Sequence, residues 1–216
     1  MVRNKYQEQL VFLKELIGSF GEMTGRIFRD SMKSVLELDV ELAQRTLDLE
    51  PEVDELERAI EVSTFELLAL QQPLAGDLRF VISGLKVTAD LRRIAGLSIN
   101  IAKIPGKIEG EHIKPLVDTK KMADIAGEML SKSLRAFEGR DSELARETAT
   151  LDNGVDELFY KVWVELIEMM AKDPGLISRG TYVLFLIRYL ERIADHCCNV
   201  CEDTVYLATA ERVKLN

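Results

Sequence analysis

Apolar residues recur along most of this chain at alternating steps of three and four. Leu42, Thr46, Leu49, Val53, Leu56 and Ile60 follow that rhythm, and so do Leu144, Thr148, Leu151, Val155, Leu158 and Val162. A further set runs Val183, Leu186, Leu190, Ile193, Cys197, Cys201, and an earlier one Val87, Leu91, Ile94, Ser98, Ala102. Such spacing places one narrow apolar stripe on a helix. Two more helices are predicted over roughly Asn4–Leu38 and Asp118–Glu138. Long helices with a narrow seam pack at shallow angles into bundles. The stretch Ile104–Pro115 holds two prolines and two glycines, which break helices and mark a connection. The pattern predicts an all-α protein of two tandem three-helix bundles, residues 1–106 and 118–216, joined by a linker over 107–117.

The two bundles are copies. DVELAQRTLDLEPEVDEL from Asp39 lies over DSELARETATLDNGVDEL from Asp141 at a shift of 102. Asp39, Glu41, Leu42, Ala43, Thr46, Val53, Asp54, Glu55 and Leu56 meet identical residues, and Glu50 meets Asp152. LRRIAGLSINIA from Leu91 lies over LERIADHCCNVC from Leu190 at a shift of 99. Two ordered matches of this length identify an internal repeat. Pro51 falls inside the seam of the first copy and Asn153-Gly154 inside that of the second. A proline there removes a hydrogen bond and clashes with the preceding turn, at about 3 kcal/mol, so a kink or a helix start is expected at both places.

Composition narrows the function. Asp and Glu exceed Lys and Arg by 37 to 28, a net charge of −9, and no basic block interrupts the balance. A surface of that sign repels nucleic acid and anionic lipid. No apolar run is long enough to span a bilayer and no secretory signal pattern opens the sequence, so a cytoplasmic protein is expected. The three cysteines, Cys197, Cys198 and Cys201, lie too close together to staple distant segments. Two of them fall in the apolar seam and match Ser98 and Ala102 of the first copy, so they read as small core residues. His196, matched by Leu97, reads as exposed rather than as a ligand.

The carboxylates stand apart from the seam. At 100° per residue, with Glu191 as origin, the seam of the last helix lies between roughly 200° and 280°, while Asp195 lies about 40° from Glu191. Glu191 and Asp195 are thus stacked on the side away from the core. Asp152 and Asp156 make the same i,i+4 pair on the neighbouring helix, and Glu50 and Asp54 do so in the first copy. Like charges four apart cost a helix a few tenths of a kcal/mol, so one pair alone reads as a solvated face. Two pairs on adjacent helices make an oxygen cluster suited to hard cations such as Mg²⁺, Ca²⁺, Mn²⁺ or Fe³⁺.

QQPLAGDLRF (Gln71–Phe80), VDELE with Glu50 ahead of it, and YLERIADHCCNVCE together make a sequence that resembles the PhoU family of phosphate-uptake regulators, over nearly the whole chain. The resemblance implies paired three-helix bundles with two E/D-x-x-x-D motifs each, some members carrying metal clusters, iron among them. Carried over, it implies metal ligands at Asp152, Asp156, Glu191 and Asp195, with Glu50 and Asp54 a weaker set. In the first copy Arg92 stands where Glu191 stands and Gly96 where Asp195 stands. Arg92 is therefore expected to bridge to Glu50 or Asp54 and supply the positive charge itself, leaving one metal-competent bundle and one closed by arginine.

The resemblance also implies a function: negative regulation of phosphate uptake and signalling. Its partners would be a high-affinity phosphate ABC transporter, through its ATPase subunit, and a sensor histidine kinase, with the membrane reached only through the transporter. Asp77 and Arg79 become candidates for partner contact, a first-turn charge pair at the helix start being the plainer reading. Oligomeric state is left open, a homodimer included. No enzyme is expected, since neither a nucleophile arrangement nor a phosphate-binding glycine loop is present. Glu109 and His112 have the E-x-x-H spacing of di-iron bundles but lie in the linker, and Tyr160 and Trp163 are expected to pack. The alternatives are a metal-carboxylate enzyme of the ferritin-like, oxygen-activating kind, or a structural bundle unconnected with phosphate.

Overall fold

The computed structural model describes residues 2–108 and 110–216; Glu109 of the E-x-x-H spacing lies outside them. Among the described residues every long element is a helix. They run α1 (Val2–Glu37), α2 (Val40–Leu47), α3 (Glu50–Gln71), α4 (Ala75–Ala102), α5 (Val117–Gly139), α6 (Ser142–Ala149), α7 (Asp152–Lys172) and α8 (Ile177–Thr209). The order α1–α4 repeats as α5–α8, so the predicted second helix of each copy is in fact two helices.

The split falls at Asp48–Leu49, just ahead of Pro51, and again at Thr150–Leu151, just ahead of Asn153-Gly154. The turns that lead into α2 and α6 have local causes too, present twice. Leu38 and Arg140, equivalent in the repeat, both take left-handed φ angles, 53° and 52°. That turn lets the Asp39 N–H reach the Ser34 carbonyl at 2.8 Å and the Asp141 N–H reach the Ala136 carbonyl at 2.9 Å. These bonds satisfy carbonyls left over at a helix C-terminus. Asp39 and Asp141 then cap the next helices, accepting from the Leu42 N–H at 2.9 Å and the Leu144 N–H at 3.0 Å. Pro51 sits in the first turn of α3, where its missing N–H costs nothing, so it marks a start rather than a kink. Pro73 lies two residues ahead of α4. The seam threonines Thr46 and Thr148 are buried because each hydroxyl donates to the carbonyl four residues back, of Leu42 at 2.8 Å and of Leu144 at 2.6 Å.

Leu13, Ile17, Phe20 and Ile27 of α1 meet Val53, Ile60 and Leu67 of α3 and Val87, Leu91 and Ile94 of α4 in one continuous core. In the second half Met122, Met129, Val155, Val162, Leu166, Leu186, Leu190 and Ile193 do the same. Each such side chain, fully withdrawn from water, contributes about 1.5–3 kcal/mol. The halves join along α4 and α8, the most extensive helix pair. They run antiparallel there. Lys86 pairs with Asp203. Asp90 accepts from the Asn199 amide at 3.0 Å and bonds His196 Nδ1 at 2.8 Å. His196, expected to be exposed, is therefore half-buried between the halves. Leu97 stands in its place in the first copy, where the repeat sets Tyr189 in the position of Asp90.

The connecting segment is tied at several points. His112 Nε2 lies 2.9 Å from the Val35 carbonyl, Lys114 pairs with Glu165, and Arg179 donates to the Glu111 carbonyl at 3.1 Å.

Candidate functional site

Four carboxylates of the second half converge where the start of α7 crosses the middle of α8. The crossing follows from the break between α6 and α7. The end of α6 comes down on α8, its Ala149 carbonyl facing the Cys198 thiol, and α7 departs from that point with Asp152 as its first residue. An acid at a helix N-terminus gains from the backbone dipole. Asp156 follows one turn later, and Glu191 and Asp195 face the pair from α8.

These groups sense one another. Burial, and then the charges of Asp156, Asp195 and Glu191, push Asp152 up from 3.8 to about 6. Burial and Asp195 raise Asp156, and burial and Asp195 raise Glu191 against the opposing pull of Arg188. Asp152 is only 5% exposed, and its Oδ1 is buried with no hydrogen-bond partner; Glu191 Oε2 is in the same position. The helical angles placed Glu191 and Asp195 on the side of their helix away from the core, and the Asp152/Asp156 pair was expected to face water with them. Asp152 departs from that expectation, because a wheel drawn on α8 alone cannot anticipate that α6 and α7 fold over the same side.

Two neighbours hold the outer oxygens. Arg188 Nη1 donates to Glu191 Oε1 at 2.6 Å, and the Asn216 amide donates to Asp195 Oδ1 at 2.9 Å. The last residues fold back along α8: the Leu215 N–H donates to Glu202 at 2.9 Å and Lys214 lies 3.4 Å from the same carboxylate. Among the described residues no group of three or more His, Cys, Asp or Glu side chains is gathered tightly enough to hold a single ion. In kind, the donor set fits a hard cation. It is all carboxylate oxygen, with two orphaned oxygens inside it and three acids, Asp152, Asp156 and Glu191, whose ionised forms are disfavoured.

The equivalent place in the first half is built differently. Arg92 Nη2 lies 2.7 Å from Asp54 Oδ1, and its Nε lies 3.3 Å from Glu57 Oε2. The bridge to Asp54 matches the sequence expectation; Glu50 is exposed and takes no part. Glu57 was not foreseen. It stands where the second half has Phe159, a difference that the repeat alignment displays once Arg92 is given two partners. A β-carbon at Gly96 would come within 3.2 Å of Arg92 Nη1, so the missing side chain leaves room for the guanidinium.

The remaining candidates are scattered. Asp77 accepts from the Tyr6 hydroxyl at 2.7 Å, so it ties α1 to the start of α4. Burial, with Asp77 beside it, pushes Tyr6 up to about 12. Arg79 is half-buried, its Nε without a partner. All three cysteines are free and buried. Burial raises each thiol, Cys201 to about 12. They are core residues, as the repeat indicated. Tyr160 and Trp163, expected to pack, are instead exposed by 71% and 41%. With Val164 and Ile167 they form an apolar stripe at i, i+3, i+4, i+7 on the outer face of α7.

The PhoU domain profile matches residues 17–104 and again 119–204. A phosphate-specific transport system accessory protein PhoU homolog of Clostridium acetobutylicum is 31% identical over 218 residues, covering all of both chains. A homolog of the same description from Streptococcus pneumoniae is 31% identical over 216 residues, again covering both chains in full. The crystal structure of PhoU from Pseudomonas aeruginosa superposes with a TM-score of 0.92 at 29% identity, covering 95% of this chain and 100% of that one. The phosphate transport system regulatory protein PhoU from Streptococcus pneumoniae gives 0.90 at 29% identity, covering 96% and 99%.

Proposed function

This chain belongs to the PhoU family, and on that premise we propose that it restrains phosphate uptake and phosphate signalling by binding a high-affinity phosphate ABC transporter. The family is one of accessory proteins of phosphate transport, regulatory rather than enzymatic. The observation that carries the proposal is the full-length match to proteins named as accessories of that transport system. The ATPase subunit, on the cytoplasmic side, is the first partner and a sensor histidine kinase the second. No helix of the described residues is long and apolar enough to cross a membrane, so contact with the membrane runs through the transporter.

The α7 stripe is the docking face. Tyr160, Trp163, Val164 and Ile167 lie on the second long helix of their bundle, turned away from α5 and α8. Exposed aromatic residues of this kind anchor helix-mediated contacts. Asp77 and Arg79 supply a polar contact at the other half. Affinity capture of the transporter's ATPase subunit tests this. Trp163→Ala with Tyr160→Ala weakens capture at least tenfold while helicity is unchanged, and deletion of the gene raises phosphate uptake. Uptake unaltered by deletion rejects the regulatory role.

The residues that would hold a hard cation, iron, manganese or magnesium, are Asp152, Asp156, Glu191 and Asp195 of the second half, whose side chains would have to draw together around it, since no three of them are gathered tightly enough as they stand. Bound there, the ion supplies the positive charge that lets all four carboxylates ionise together. Asp152 and Asp156 stand at the start of α7, Glu191 and Asp195 in the middle of α8, so a cation bound there would link the two helices. Elemental analysis of the purified protein checks this, with Asp195→Ala losing the metal.

A further inference from the structure

We propose that Arg92 is a built-in counter-ion that replaces the bound cation in the first half, so that this bundle is closed without metal and conceals a second, latent cation site. The inference rests on the reading of the second-half cluster as a cation site, and its test separates the two.

Three linked exchanges carry it. Under the repeat, Arg92 replaces Glu191, Gly96 replaces Asp195 and Glu57 replaces Phe159. Each makes physical sense only with the others. The guanidinium reaches Asp54 at 2.7 Å and Glu57 at 3.3 Å, so an added acid faces an added cation. A β-carbon at position 96 would sit 3.2 Å from Arg92 Nη1, so a side chain there would make the guanidinium give way by a few tenths of an ångström. Asp54, the equivalent of Asp156, keeps its identity and changes its partner. Arg92 is also mostly screened from water by the helices around it, its side chain 26% exposed, so it is not a solvated surface charge. A planar guanidinium with several donors bridges two carboxylates on different turns, as a multivalent ion does, but it cannot be removed by a chelator.

The consequence is an asymmetric response. Metal binding tightens the α7–α8 crossing and leaves the α3–α4 crossing unaffected. Hydrogen exchange with and without Mn²⁺, together with elemental analysis, reads both sites on the full chain. The wild type is expected to gain protection over residues 150–157 and 188–197 on adding Mn²⁺, with none over 50–57 and 89–96. Asp54→Ala keeps the bound manganese and Asp195→Ala loses it. Arg92→Glu combined with Gly96→Asp restores the acid pattern, and then Mn²⁺ protects 50–57 and the bound manganese rises by at least half. Should that double variant fail to fold, Arg92→Gln serves: it loses protection over 50–57, and Mn²⁺ recovers part of it. Protection of 50–57 by Mn²⁺ in the wild type overturns the proposal, as does a folded double variant, or Arg92→Gln, indifferent to Mn²⁺ there. If the wild type takes up no manganese at 150–157 while the double variant takes it up at 50–57, the inference about Arg92 stands and the second-half reading falls.

Discussion

Asp152 carries the largest conflict between burial and charge in this molecule, and that conflict has a sign. In the folded chain its acid dissociates near 6, whereas an unfolded aspartate does so near 4. Between those values the folded state binds the extra proton, so stability is full at the acid end and is lost as pH rises through 6. In metal-free, chelator-treated protein, denaturant midpoints measured from pH 4 to 7 should fall by the equivalent of about 2 kcal/mol, and Asp152→Asn should flatten the profile. The cysteines obey the same rule by a different route. Burial holds their thiols protonated, so native protein should resist iodoacetamide at neutral pH and react only on unfolding, as mass spectrometry would show. The repeat made these three residues legible, because its other copy writes Ser, Ile and Ala in their place. It misled on His196, whose partner Asp90 has no acidic equivalent in the second copy: Tyr189 stands there.

At the scale of the element, the two-part second helix was half legible. The apolar rhythm runs unbroken through Pro51 and through Asn153-Gly154, and periodicity alone draws a single helix. The split itself lies between α2 and α3 and between α6 and α7, while the turns ahead of α2 and α6 hold Leu38 and Arg140 in left-handed conformations without glycine, which nothing in either residue type announces. The start signals were in plain view as Asp39 and Asp141. Removing either cap, Asp39→Ala or Asp141→Ala, should cost about 1 kcal/mol in chemical denaturation, the two nearly alike because the cap is repeated. Pro51→Ala should change stability by less than about 0.5 kcal/mol, against the roughly 3 expected for a proline inside a helix. The break between α6 and α7 turned Asp152 inward, a depth that spacing alone does not give.

Across the whole molecule, the tandem arrangement followed from the repeat, but the way the halves meet did not. Each seam looked fully used within its own bundle. In fact α4 and α8 carry buried apolar positions beyond their seams, Leu97 on one and Val200 on the other. Lys86, Asp90, His196, Asn199 and Asp203 fix the register along that contact. Heating should therefore give one cooperative transition rather than two, by calorimetry and circular dichroism alike. The antiparallel contact also makes the chain divisible at its connector without making it separable. Gene pieces encoding residues 1–109 and 110–216, expressed together from different promoters, should find each other and co-purify, a ready-made split reporter whose reassembly depends on Asp90 and Asp203.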